Sequence, residues 1–351
     1  MAETILGVDF GYDNLKFALV NGKQVKKSAI VQMPKNLIKE GRVVSAEAMG
    51  ELLRQTARSS GISCKNVALA LPNESVFVKL VSTPQMVHDQ LLYNLPYEFR
   101  DYITDELKDY IYDYAMINNS VKSDDDAPAP ANPGEEGGET ETKEKMELLA
   151  AAVSKATMDE NKLSFRKAGM KLVSASPAVS SYISLIRNMD PAYRPETNEY
   201  CIIDLGYKEI RMFLFKGDVN TTSRTLEIGL SIIDDIIAEN YSVDVHLAHT
   251  YLLSNYDDCQ NKDFCINAFN NISVELMRAM NFYRFSNPDS QLADIWMCGG
   301  GAVIPSLAAA IKDTLDLKIH DASELVKGGD KVANCNSLVL AIGAAMNKIG
   351  G

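Results

Sequence analysis

Two short segments hold residues from which chemistry can be built. VDFGYDNLKFALV at residues 8–20 and IDLGYKEIRMFLF at residues 203–215 are spelled almost alike and lie about half the chain apart. Each runs from an apolar stretch into Asp-x-Gly, crosses a short polar turn and enters a second apolar stretch. That is the pattern of a β-hairpin with an acid and a glycine at its tip. Asp9 and Asp204 can hold a hydrated divalent cation, while Gly11 and Gly206 let a turn bring backbone N–H groups close to an anion. Two such hairpins facing one another would grip a polyphosphate from both sides. A third segment, Trp296-Met297-Cys298 followed by Gly299-Gly300-Gly301-Ala302, reads as a strand end that opens a helix from about Ser306. Its glycines allow close approach of a ligand, and the start of the helix favours negative charge.

Alone, an Asp-x-Gly is a turn and a glycine triplet is a loop. Their order carries more: hairpin, hairpin, then a glycine-rich strand-to-helix turn resembles the nucleotide-binding fold of actin, the heat-shock chaperones and the sugar kinases. The resemblance implies an α/β, actin-like (ribonuclease H-like) two-domain fold that binds ATP with Mg2+. It places nucleotide contacts at Asp9, Gly11, Tyr12, Asp13, Asn14 and Lys16 in the first hairpin, and at Asp204, Gly206, Tyr207 and Lys208 in the second. Gly299, Gly300 and Gly301 complete the set, and Asp9 and Asp204 hold the metal through water.

The motifs also depart from that pattern. Where small hydroxyl residues usually follow the first Asp-x-Gly, Tyr12 adds bulk and Asp13 adds negative charge, although Lys16 is retained. In the second hairpin Ile210 takes the place of a hydroxyl residue, with Lys208 and Glu209 before it, and an apolar side chain cannot hydrogen-bond phosphate. No carboxylate or Gln to position an attacking water is apparent outside Asp9, Asp204 and their neighbours. Three readings stand open: a scaffold that binds nucleotide and turns it over slowly or not at all, a scaffold whose site is lost, and a working ATPase or phosphotransferase.

Stepping from the motifs to their carrier, 351 residues with 46% hydrophobic and 23% charged content suffice for two or more domains with a substantial core. The net charge of −12 argues against nucleic acid as a partner. Much of that acidity is concentrated between residues 124 and 147. The six cysteines show no Cys-x-x-Cys spacing and read as reduced packing residues. Of the four histidines, His246 and His249 share a helical face that reads as a solvated surface rather than a metal site. Without a secretory signal or a stretch long enough to span a bilayer, the expected location is the cytoplasm, with a membrane reached only through a partner.

Residues 4–34 read as successive strands turned at Asp13-Asn14 and Asn21-Gly22, followed by a helix at 45–60 and strands within 65–82. The expected organisation is a first core domain at 1–84, completed by 171–197, with an inserted subdomain at 85–170. A second core domain at 198–351 carries a helical subdomain at about 226–290. Within the insertion, 85–108 carries a helical pattern, tyrosines crowd positions 93–114, and the Pro, Gly and Glu-rich run at 120–146 reads as a disordered loop.

These segments narrow the resemblance. ALALPNESVFVKLVSTP, LLYNLPYEFRDYI, IYDYAMI and VELMRAMNFYRFSNPDSQLADIWMCGGGAVIPSL are similar to the type IV pilus assembly protein PilM family over essentially the whole chain except the acidic loop. The cell-division protein FtsA has a subdomain in the same place but ends in an amphipathic membrane helix, and the chain here ends in SLVLAIGAAMNKIGG. The resemblance implies a cytoplasmic scaffold that binds ATP-Mg2+ and captures the N-terminal tail of the membrane protein PilN. In the family that tail lies in a groove between the first core domain and the small subdomain. Leu91, Leu95, Tyr97, Phe99 and Tyr102 are the expected groove residues. Contact with the assembly motor ATPases and self-association are left open.

Overall fold

The computed structural model describes residues 3–121, 145–195 and 197–350. The expected acidic loop therefore lies, from residue 122 to 144, outside the described residues. Two compact units emerge: Met1–Pro72 with Asn161–Gly351, and Asn73–Glu160.

The chain opens with a meander of β1 (Thr4–Phe10), β2 (Asn14–Asn21) and β3 (Gln24–Gln32). A two-residue hairpin, β4 (Ile38–Lys39) and β5 (Arg42–Val43), precedes α1 (Ala46–Ser59) and β6 (Asn66–Leu71). The smaller unit follows with β7 (Val76–Pro84), α2 (His88–Glu98), β8 (Tyr110–Val121) and β9 (Lys145–Ser154). Then α3 (Lys155–Lys167), β10 (Lys171–Pro177) and α4 (Ala178–Asn188) lead to a second meander, β11 (Glu199–Leu205), β12 (Ile210–Lys216) and β13 (Val219–Leu226). Three helices, α5 (Ser231–Tyr241), α6 (Val245–Ser254) and α7 (Asp263–Ser286), intervene before β14 (Asp294–Cys298), α8 (Pro305–Thr314), β15 (Lys318–Asp321) and α9 (Cys335–Gly350).

The larger unit is built twice on one plan. Its sheets run β10-β6-β1-β2-β3 and β15-β14-β11-β12-β13. In each, the meander strands pair antiparallel while the added strands pair parallel to the first. β1 and β11 sit at the centre and are buried on both faces, so they read as continuous apolar runs rather than as alternation. The acidic residue that closes each run has the same place in both sheets: Asp9 lies opposite Lys16, and Asp204 opposite Arg211.

Helix α9 is apolar on nearly every side because it has no solvent face to spare: Leu338, Val339, Ala341, Ile342, Ala344 and Ala345 are buried. It packs on α4 and on β1, β2 and β6, so the end of the chain completes the layer over the first sheet. Contact is so close that a Cβ on Gly7 would lie 1.7 Å from the Ala341 carbonyl oxygen, and one on Gly343 would lie 2.4 Å from that of Ser181.

The smaller unit is a three-stranded antiparallel sheet, β7-β9-β8, with α2 on one face. It begins at Asn73 and ends at Glu160, not at 85 and 170, because β7 pairs with β9 along its whole length, from Val76↔Val153 to Pro84↔Lys145. α2 is shorter than the 85–108 pattern suggested. Pro96 falls in its last turn, where it removes a helical N–H, and the helix stops at Glu98. No helix among the described residues is long and apolar enough to cross a membrane.

Since the β1–α9 contact is backbone against backbone, Gly7→Ala is expected to lower unfolding free energy by at least about 1–3 kcal/mol, measured by chemical denaturation. An unchanged midpoint would show that the helix can move away at no cost.

Candidate functional site

The carboxyl ends of β1 and β11 bring the two acidic hairpin tips together with the glycine turn after β14. At the centre lies Lys16, whose Nζ is 2.9 Å from Asp9 Oδ2; its side chain is only 13% exposed. The pairing follows from register: Asp9 and Lys16 face each other across neighbouring strands. Burial alone would lower the lysine pKa, but the charges of Asp9 and then Asp204 outweigh it and hold it above its ordinary value. Asp204 is buried too, and desolvation pushes its carboxyl above the ordinary value in spite of Lys16 and Arg211. The Tyr182 hydroxyl on α4 donates to Asp204 Oδ2 at 3.1 Å and sits 3.3 Å from the Cys298 sulfur. Burial keeps both that phenol and that thiol neutral.

The glycine turn closes on the same carboxylate. A Cβ on Gly299, whose φ is +88°, would lie 2.4 Å from Asp204 Oδ1, and one on Gly301 would lie 2.7 Å from Leu205 Cβ. Gly300 faces only Leu230 at 3.6 Å. Three nearby backbone donors are committed within the chain. Gly11 N–H donates to the Asn14 carbonyl at 3.0 Å, Gly206 N–H to that of Asp204 at 3.1 Å, and Gly299 N–H to that of Asn336 at 3.0 Å.

At the first tip, the Tyr12 hydroxyl accepts the Gly41 N–H at 3.0 Å, so its ring reaches the β4–β5 hairpin. Asn14 donates its side-chain amide to Asp13. Asp13 itself reaches α6, where His249 Nε2 is 3.1 Å from its Oδ2, and His249 Nδ1 is 2.9 Å from Asp234 Oδ2 on α5. Burial disfavours the imidazolium, but the bonds to Asp13 and Asp234 outweigh it and raise the pKa to about 10. Tyr207 from the second tip packs edge-on against His249, with ring centroids 5.7 Å apart, and Lys208 lies over the Tyr207 ring.

Three expectations are corrected here. Ile210 is not a tip residue: it pairs with Leu205, as Leu15 does with Phe10, and it is fully buried, so Glu209 holds the last tip position. His249 is not on a solvated surface; only its neighbour His246 is exposed. In the smaller unit, Leu91, Leu95 and Phe99 are core residues at 3%, 2% and 0% exposure, because the two leucines are the inward stripe of α2 and Phe99 caps its end on the same core. Tyr97 and Tyr102, half exposed, are the members of that set at the surface, joined there by Tyr93. Sequence reading missed Tyr182, Asp234 and His249. Asp234 did leave a signal, a charge inside the apolar run SIIDDII.

With this geometry in place, the comparisons carry weight. The family model for the type IV pilus assembly protein PilM matches residues 7–129 and 137–349. The chain belongs to the PilM family. Among solved structures, the chain of a "PilM-PilN type IV pilus biogenesis complex" is similar at 20% identity over 99% of both chains, with a TM-score of 0.78. The ethanolamine utilization protein EutJ from Carboxydothermus hydrogenoformans is similar at 13% identity over 99% of this chain and 90% of that one, with a TM-score of 0.59. No curated protein matches the chain. The PilM-family fold is thus actin-like, with both hairpins and the glycine turn in the places the resemblance assigns them.

A hydrated divalent cation fits the residue types at this site. Asp9 and Asp204 together carry more negative charge than Lys16 neutralises, and a hydrated divalent cation would meet that surplus. The lysine charge itself gives stability that is complete below its ordinary value of 10.5 and is lost only as pH rises through its raised folded value. At pH 7, Lys16→Met is expected to cost about 3–5 kcal/mol by leaving a buried carboxylate without its cation. Asp204, raised in the folded state, favours folding below its ordinary 3.8, and that contribution is lost as pH rises through its folded value. The cost of Lys16→Met should therefore shrink on acidification, measured by urea denaturation from pH 7 down to pH 4. A pH-independent cost would mean that Lys16 stabilises by packing alone.

Proposed function

We propose that this PilM-family chain is a scaffold of the type IV pilus machinery, held at the inner face of the membrane by the N-terminal tail of a PilN-type protein. The observation that carries this reading is the surface of the smaller unit. α2 is fixed from below by its buried leucines and Phe99; it holds Tyr97 50% and Tyr93 71% exposed, and the turn that follows holds Tyr102 53% exposed. Amphipathic rings on a rigid support present apolar area at little entropic cost, the property that makes tyrosine an anchor for a peptide. The partner named in the PilM-PilN complex supports a PilN-type tail as the occupant.

In this proposal nucleotide serves as a ligand rather than as fuel. Asp9 and Asp204 would hold Mg2+ through water, and Lys16 would meet phosphate. Magnesium supplies charge neutralisation there, while the protein residues bind and orient. Both cleft carboxylates already have partners, which supports slow turnover at most: Asp9 is paired to Lys16, and Asp204 accepts a hydrogen bond from Tyr182. Binding would matter by favouring one closure of the two sheets over another.

A synthetic tail peptide of a PilN-type protein, titrated calorimetrically into the full chain, tests the central part. Saturable binding that weakens at least tenfold in Tyr97→Ala, about 1.4 kcal/mol, is the expected result. A peptide that fails to bind, or binds the variant equally well, removes the assignment.

A further inference from the structure

We propose that Asp13, His249 and Asp234 form a latch that fastens the first hairpin tip to the helical layer of the second half, the Asp13 carboxylate standing in for an anion. Three elements far apart in sequence meet there: the β1–β2 tip, α6 and α5. The contacts are short, with His249 Nε2 3.1 Å from Asp13 and its Nδ1 2.9 Å from Asp234. They are also shielded, because His249 is 8% exposed and Asp234 is fully buried.

Each ring nitrogen of His249 faces a carboxylate, so the imidazole satisfies both at once only as a cation with two N–H donors. The groups facing it are Asp13 from the tip, Asp234 from α5 and Tyr207 from the second tip, whose ring edge packs on the imidazole. Burial, and then the Asp234 charge, push the Tyr207 phenol above its ordinary value. The tip is held from behind as well: Met33 N–H donates to the Asp13 carbonyl at 2.7 Å, tying its backbone to the end of β3 while its side chain reaches the other half. A pull on the Asp13 carboxylate therefore acts on a braced turn and not on a loose loop.

The arrangement gives the departure at Asp13 a role. A carboxylate at the phosphate turn would repel a polyphosphate if left free, but here its charge is taken up by His249. Opening the latch would release one cation, His249, and one anion, Asp13, into the cleft. A phosphate entering beside the tip must therefore displace Asp13 or bind in spite of it. This consequence for nucleotide rests on the reading given under Proposed function; the latch itself does not.

The test uses the full chain and three variants: Asp13→Asn, which keeps the shape and removes the charge, His249→Gln, and the two combined. In hydrogen–deuterium exchange, each single variant is expected to speed exchange at least tenfold both at the 11–16 tip and in α6. The double variant should go no further than the faster single. Acceleration confined to the mutated element, or effects that multiply in the double variant, would overturn the latch. The same proteins are then titrated with ATP-Mg2+. At least tenfold tighter binding by Asp13→Asn than by the unsubstituted chain supports Asp13 as the stand-in anion, and equal measurable affinity overturns it. If none of them binds while exchange is coupled, the latch stands and the nucleotide part of the proposed function falls.

Discussion

A lysine buried against Asp9 and within the field of Asp204 is the constraint around which the larger unit is arranged. Lys16 cannot be removed from water without a countercharge, and the countercharge comes from two strands that belong to different sheets: Asp9 at the end of β1 and Asp204 at the end of β11. For both charges to act on it, each central strand must end at the same depth, each hairpin must turn after the same residue, and the sheets must face each other tip to tip. The register Asp9↔Lys16 and its counterpart Asp204↔Arg211 meet those conditions. The glycine turn follows from the same demand. Any side chain at position 299 would strike the Asp204 carboxylate, so the chain approaches there as bare backbone.

Around this core the cleft satisfies itself. The Gly11, Gly206 and Gly299 N–H groups donate to carbonyls of the chain, Tyr182 takes a lone pair of Asp204, and His249 absorbs the charge of Asp13. The hairpins, the carboxylates at their tips and the glycine turn are packing contacts as well as a candidate site, so the architecture does not depend on turnover. A scaffold needs only that architecture, which is why the proposed function looks to the smaller unit for its partner.

How much of this was legible in the sequence depended on range. The two hairpins could be read because each is local: apolar run, Asp-x-Gly, polar turn, apolar run. The α/β plan followed from their order. Ile210 was misplaced by one position, since only the pairing with Leu205 shows where the turn ends. Leu91, Leu95 and Phe99 have the spacing of an inward helix face, and a residue that fits a groove also fits a core; burial decided between them. His249 was invisible as a cleft residue because its partner Asp13 lies more than two hundred positions away and no local pattern joins them. The start of the smaller unit at Asn73 depended on β7 pairing with β9, a strand found only after the acidic segment.

The most direct test of the account is phosphate release from ATP-Mg2+ by the purified chain, followed under multiple-turnover conditions with Asp204→Ala as control. A scaffold whose cleft holds its own charges predicts a rate indistinguishable from that of the control. Sustained release by the unsubstituted chain that disappears in Asp204→Ala would contradict it and return the site to catalysis.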